Sequence, residues 1–178
     1  IGCSVAINVV SILVSKVGTL HLISTAAPLE SGSFIDKMAG KAIFNMAIKF
    51  PTVFSVLSYW QSVLSILAPK VLYKMLFASA KGSDKELKKN HEFEQFIINI
   101  LKKCFRRKVK GYIRDVMLYV NPWERALSKC KVNCHIWHGE SDNWSPVEMA
   151  HYLSKTLPSC VGVELLEGLS HYSCLHEA

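Results

Sequence analysis

Residues 132–171 read VNCHIWHGESDNWSPVEMAHYLSKTLPSCVGVELLEGLSH, and the fold turns on them. Val132 to Trp137 is a short apolar run rich in β-formers and predicts a strand. His138-Gly139-Glu140-Ser141-Asp142 then predicts a turn. Val147 to Thr156 predicts a helix, with Pro146 near its first position, where a missing N–H is tolerated. Leu157-Pro158-Ser159 breaks that helix, Val161 to Leu166 predicts a second strand, and Gly168 opens the loop to His171. Strand, helix, strand is the pattern of a parallel sheet. Open α/β sheets gather their functional groups just beyond strand ends, and Asp142 and His171 both fall there.

Outward from this unit the pattern is less decisive. Ser4 to Ser15 (SVAINVVSILVS) is Val- and Ile-rich, so propensity suggests a strand, yet an unbroken apolar run suits a buried helix equally well. Leu20-His21-Leu22-Ile23-Ser24 predicts a short strand, closed by Ala26-Ala27-Pro28. From Leu29 to about Asn121 only helix-like stretches occur. Between Pro51 and Pro69 lie 17 residues without a charge, in which Ser55, Ser58, Ser62 and Ser65 form a polar stripe at helical spacing. That length is at the short limit for a membrane span, and a buried or cleft-lining helix is the simpler reading. Glu92 to Lys110 predicts another helix, ending in KKCFRRKVK.

The chemistry lies in three places: Gly2-Cys3-Ser4-Val5-Ala6, then Asp142, then Gly168-Leu169-Ser170-His171. A serine hydroxyl is a poor nucleophile at neutral pH. It needs a histidine to take its proton and a carboxylate to orient that histidine and stabilise its charged form. The order Ser…Asp…His is that of α/β-hydrolases. The segment from Ile136 to Val147, His171 coming 29 residues after Asp142, Pro122-Trp123 and Leu153…Leu157-Pro158 all look like that family. The chain therefore resembles the α/β-hydrolase superfamily, in a serine esterase or lipase-like form that starts at the nucleophile elbow. It departs from the pattern at Ala6, which replaces the elbow's second glycine, and at Ser170, where relatives often carry Gly before the histidine.

The resemblance implies an α/β fold with a mostly parallel sheet flanked by helices, a helical cap insertion and missing N-terminal strands, the last of them ending at Ile1. Its core would comprise 1–29 and 122–178, with strands near 20–24, 132–137 and 161–166, and its cap 30–121. It also implies that Ser4 to Ser15 is a helix buried against the sheet. Ser4 would be the nucleophile, His171 the base, Asp142 the orienting acid, and the Val5 backbone N–H one oxyanion donor. The second donor normally comes from a loop after an earlier strand that this chain does not contain, so the fragment itself is expected to be weak or inactive. The implied activity is cleavage of a small or medium apolar acyl ester through an acyl-enzyme, with no cofactor and no metal. Fold does not fix reaction, so amide and C–C bond hydrolysis stay open, as does a non-catalytic relative that binds an apolar ligand in the cap pocket.

Charge narrows the partners. The net charge is +7, but residues 81–110 carry ten Lys/Arg against four Asp/Glu, leaving the rest nearly neutral. A chain-wide basic surface is absent, which argues against nucleic acid. The cluster at 102–110 is a solvated helix face or a weak contact to an anionic membrane, which the uncharged 52–68 helix could join. Six cysteines without paired spacing suggest free thiols and a cytoplasmic setting. Cys130, Cys134, His135 and His138 have a metal-like look, but on a strand residues 134 and 138 face opposite to 135, so four ligands do not easily converge.

Overall fold

The computed structural model describes residues 2–106 and 109–177. Ile1, where a preceding strand is expected to end, and residues 107 and 108 of the basic run lie outside the described residues. Three strands, β1 (Thr19–Ile23), β2 (Asn133–Gly139) and β3 (Cys160–Leu166), form one parallel, open sheet in the order β1-β2-β3. Leu22 pairs with Ile136, and Ile136 with Val163. The three strands lie where the sequence places them. The sheet is small beside the larger one the resemblance implies: a reduced or atypical hydrolase-like core.

Nine helices are described: α1 (Gly2–Ile12), α2 (Lys41–Lys49), α3 (Pro51–Leu67), α4 (Pro69–Leu76), α5 (Asp84–Leu87), α6 (His91–Arg106), α7 (Val109–Val120), α8 (Val147–Thr156) and α9 (His171–Glu177). The Val- and Ile-rich opening is therefore helical. Ile7 and Val10 of α1 enter the core with Leu22, Leu127, Ile136, Met149 and Leu153, while Val5, Val9 and Ile12 on its other side are exposed. Each of the larger side chains buried here contributes on the order of 1.5–3 kcal/mol. Tyr119 ties the helical insert to the end of β1 by donating its hydroxyl to the Ala27 carbonyl at 3.2 Å.

Over 92–110, where the sequence predicts a helix, the described residues are helical on either side of positions 107 and 108, as α6 to Arg106 and α7 from Val109. Helix α3 buries part of its polar stripe. Its buried face carries Phe54, Ser58, Gln61 and Ser65, whereas Val53, Val56, Trp60, Val63 and Leu67 are exposed. Burial of the serines is possible because Ser58 donates to the Phe54 carbonyl at 2.8 Å and Ser65 to the Ser62 carbonyl at 2.7 Å. Hydroxyls that bond back onto their own helix need no outside partner. Ser62 instead reaches the Phe105 carbonyl of α6 at 3.0 Å.

Candidate functional site

Asp142 closes the turn after β2, its N–H bonded to the Gly139 carbonyl at 3.0 Å. Its side chain is fully buried and its two oxygens have separate partners. Oδ1 accepts the N–H groups of Trp144 and Ser145, both at 2.8 Å, and Oδ2 accepts Nδ1–H of His171 at 2.9 Å. One carboxylate oxygen thus serves the turn and the other the imidazole. With Nδ1 committed, Nε2 of His171 is the nitrogen left to accept a proton.

The histidine loop is fixed from several sides. Ser141 N–H bonds to the Leu169 carbonyl at 2.9 Å, and Gly139 is glycine for a steric reason. A Cβ there would lie 2.5 Å from the Leu169 oxygen and 2.8 Å from that of Ser170. From the end of β1, Ser24 donates its hydroxyl to the His171 carbonyl at 2.9 Å, and Ser24 holds an uncommon left-handed φ of 45° to do so. Ser170, the departure before the histidine, is buried without disturbing the pair with Asp142.

Sequence reasoning missed the contribution of residues 79–84. Asp84, 1% exposed, accepts the backbone N–H groups of Ser173 at 2.7 Å and Tyr172 at 3.2 Å, capping the helix that His171 begins. Ser83 adds backbone and hydroxyl bonds to the Gly168 carbonyl, at 2.9 and 3.1 Å. Asn143, next to the acid, donates to the Ser79 carbonyl at 2.6 Å. One short segment of the insert therefore grips both loops. The only local signal was a Ser-Asp pair before a helix, which reads as an ordinary cap.

His138 is buried beside the pair, with Nε2 2.7 Å from the Ser145 carbonyl and 3.7 Å from Asp142 Oδ2. Burial lowers its pKa, against the pull of Asp142 and the Ser145 carbonyl. A neutral ring donating Nε2–H to the carbonyl satisfies that geometry, and it leaves Asp142 to His171. The other members of the metal-like set diverge. Cys130 and Cys134 place their sulfurs 3.6 Å apart in the core, while His135 stacks on His21 at 5.4 Å. Among the described residues no group of three or more His, Cys, Asp or Glu is placed to hold a metal ion.

Ser4 is buried in the first turn of α1. Gly2, Cys3 and Ala6 of that helix line a cleft of about 420 Å³ together with Ser24, Ser145 and His171. His171 and Ser145 also border a second cavity of about 390 Å³, walled mainly by apolar side chains including Phe44, Leu72, Leu101 and Trp144. This is the size and character of a small-molecule site, for which roughly 300–1,000 Å³ is usual. The histidine thus stands where the start of α1 meets the cavity of the helical insert.

The model of a family described as lipid-droplet associated hydrolase matches residues 1–174. No curated protein matches the chain.

Proposed function

The chain belongs to the lipid-droplet associated hydrolase family, and from that premise we propose that it carries the catalytic centre of a serine hydrolase acting on apolar acyl esters. The observation that carries this reading is the Asp142–His171 pair, at 2.9 Å, whose histidine borders an apolar cavity. Ser4 is the nucleophile. His171 Nε2 takes the hydroxyl proton as Oγ attacks the ester carbonyl carbon. The oxyanion of the tetrahedral intermediate is held by the Val5 N–H, and the proton passes from His171 to the departing alkoxide as the C–O bond breaks. Water, deprotonated by His171, then releases the acid and restores Ser4. Asp142 holds the ring and stabilises its charged form. The insert from residue 30 to 121 serves as the cap whose cavity receives the hydrophobic part of the ester.

The outer face of α3 supports a lipid surface as the protein's working environment. Val53, Val56, Tyr59, Trp60, Val63, Ile66 and Leu67 are all exposed, with no charge among them. Contiguous exposed apolar surface of this kind marks an interaction site, and aromatic residues suit the boundary between headgroups and acyl chains. Lys49, Lys70, Lys102 and Lys103 are exposed on α2, α4 and α6, elements packed against α3, where they can meet anionic headgroups. Among the described residues no helix is long and apolar enough to cross a membrane, so α3 lies in the surface and does not span it. The proposed location is the cytoplasmic face of a lipid droplet.

Labelling with a fluorophosphonate tests the chemistry. The expected result is modification of Ser4 that is lost in Ser4→Ala and His171→Ala. A folded protein that labels nowhere removes catalysis and leaves a ligand-binding relative. Flotation with phospholipid-coated triolein emulsions tests the surface: Trp60→Glu with Val56→Glu should stay in the aqueous phase while the unaltered chain floats. Equal flotation of both would remove the α3 seat.

A further inference from the structure

Two leucines of the helical insert line two spaces at once. Leu76, the last residue of α4, and Leu101 of α6 wall the apolar cavity of about 390 Å³ that His171 borders. Both also wall a neighbouring groove of about 540 Å³, formed by Phe93, Phe96, Ile97 and Ile100 of α6 and Leu175 of α9. Among the described residues no other side chain lines both, so the boundary between the two spaces runs through this pair. Both leucines pack against the buried cluster of Tyr73, Phe77, Ile97 and Ile98 but are themselves only partly buried. No Asp, Glu, Lys or Arg among the described residues lines either space.

We infer that Leu76 and Leu101 are a partition that sets the length of hydrocarbon chain the cavity accepts. Each methylene moved from water into an apolar space strengthens binding about fourfold. A chain that lengthens inside the cavity gains by that factor until it meets the two leucines. Further methylenes there find occupied space, and forcing them in is unfavourable. The groove on the other side shares the same two walls and is itself apolar, so it fits a continuing hydrocarbon chain once the partition is cut back. The pair thereby restricts the substrate to esters whose chain ends short of it. The proposal rests on the hydrolase reading for the ester bond, but not for the binding of the chain.

The test is displacement of a fluorescent fatty acid from the full chain by saturated fatty acids running from hexanoate to stearate. In the unaltered protein the affinity should climb about fourfold per methylene and then level off. In Leu76→Ala and in Leu101→Ala the climb should continue past that length, for a gain of about tenfold or more with the longest acids. Leu101→Phe, which thickens the partition, should bring the plateau to shorter chains. Phe96 lines the groove but not the cavity and is exposed, so Phe96→Asp should leave the unaltered plateau in place. Combined with Leu101→Ala, it should cancel the gain. A plateau at the same length in both alanine variants overturns the partition. So does a gain that survives Phe96→Asp, which would mean only that the cavity itself had widened. Affinity that never levels off in the unaltered protein, or no saturable binding at all, overturns it too. Should one alanine variant fail to fold, the other and Leu101→Phe decide. Fluorophosphonate labelling of Ser4, read separately, reports whether the catalytic reading stands or fails on its own.

Discussion

Asp84→Ala removes one carboxylate and strands two donors. The Tyr172 and Ser173 N–H groups sit at the start of α9, where no helical carbonyl is available to them, and Asp84 takes both, at 3.2 and 2.7 Å. With the carboxylate 1% exposed, water does not readily replace it. The shorter bond is charge-assisted and the longer one weaker, so the loss comes to about 2–4 kcal/mol. Asp84→Asn keeps one acceptor oxygen, suited to Ser173, and turns an NH₂ toward Tyr172, so about half that loss is expected. Urea unfolding followed by tryptophan fluorescence measures both, and the slope should not change. In sub-denaturing conditions the rate of fluorophosphonate labelling should fall in the same order, Asp84→Ala below Asp84→Asn below the unaltered chain. A midpoint for Asp84→Ala equivalent to less than about 0.5 kcal/mol would refute the reasoning, because it would mean the two bonds are not formed in solution.

Asp142→Asn should reduce Ser4 acylation by about 10³–10⁴-fold by permitting the wrong tautomer of His171, a loss read from labelling rates; a change below tenfold would count against the pair's role. Gly139→Ala should destabilise the chain by about 2 kcal/mol or more, measured by thermal unfolding, since its methyl group lies 2.5 Å from a backbone oxygen. His138 makes stability pH-dependent. Burial holds its folded pKa below the ordinary value of about 6.5, so under that pH the unfolded chain takes up a proton that the folded one refuses. Its contribution is fully present above about pH 6.5 and is lost as pH falls toward the lower folded value. His138→Gln, whose amide can still donate to the Ser145 carbonyl, should flatten that part of the urea midpoint profile.

The β2–α8–β3 unit was legible because every signal in it is local: a short apolar run, a proline at the helix start and a glycine opening the last loop. The Asp142–His171 pair was legible from motif and order together, since 29 residues of helix and strand return the chain to the same sheet end. The opening segment was ambiguous on propensity, and the family resemblance decided it correctly as helix. What stayed hidden depends on distant partners. Asp84 is 88 residues from Tyr172, and nothing beside it in the chain indicates that it faces another helix. The serine stripe of α3 was visible, but which way it faced was not. Small hydroxyls that bond to their own helix allow it to be buried, and only the packing of α6 reveals it.

The grip of residues 79–84 has a mechanical consequence. These residues lie between α4 and α6, two walls of the apolar cavity, and their bonds run to Asn143 on one loop and to Gly168, Tyr172 and Ser173 on the other. A wall of the cavity and the Asp142–His171 pair are therefore fastened by the same clasp. Any displacement of this stretch that widens the cavity draws on the bonds that keep the imidazole loop in register, so on the proposed chemistry a widened chamber is a disarmed one.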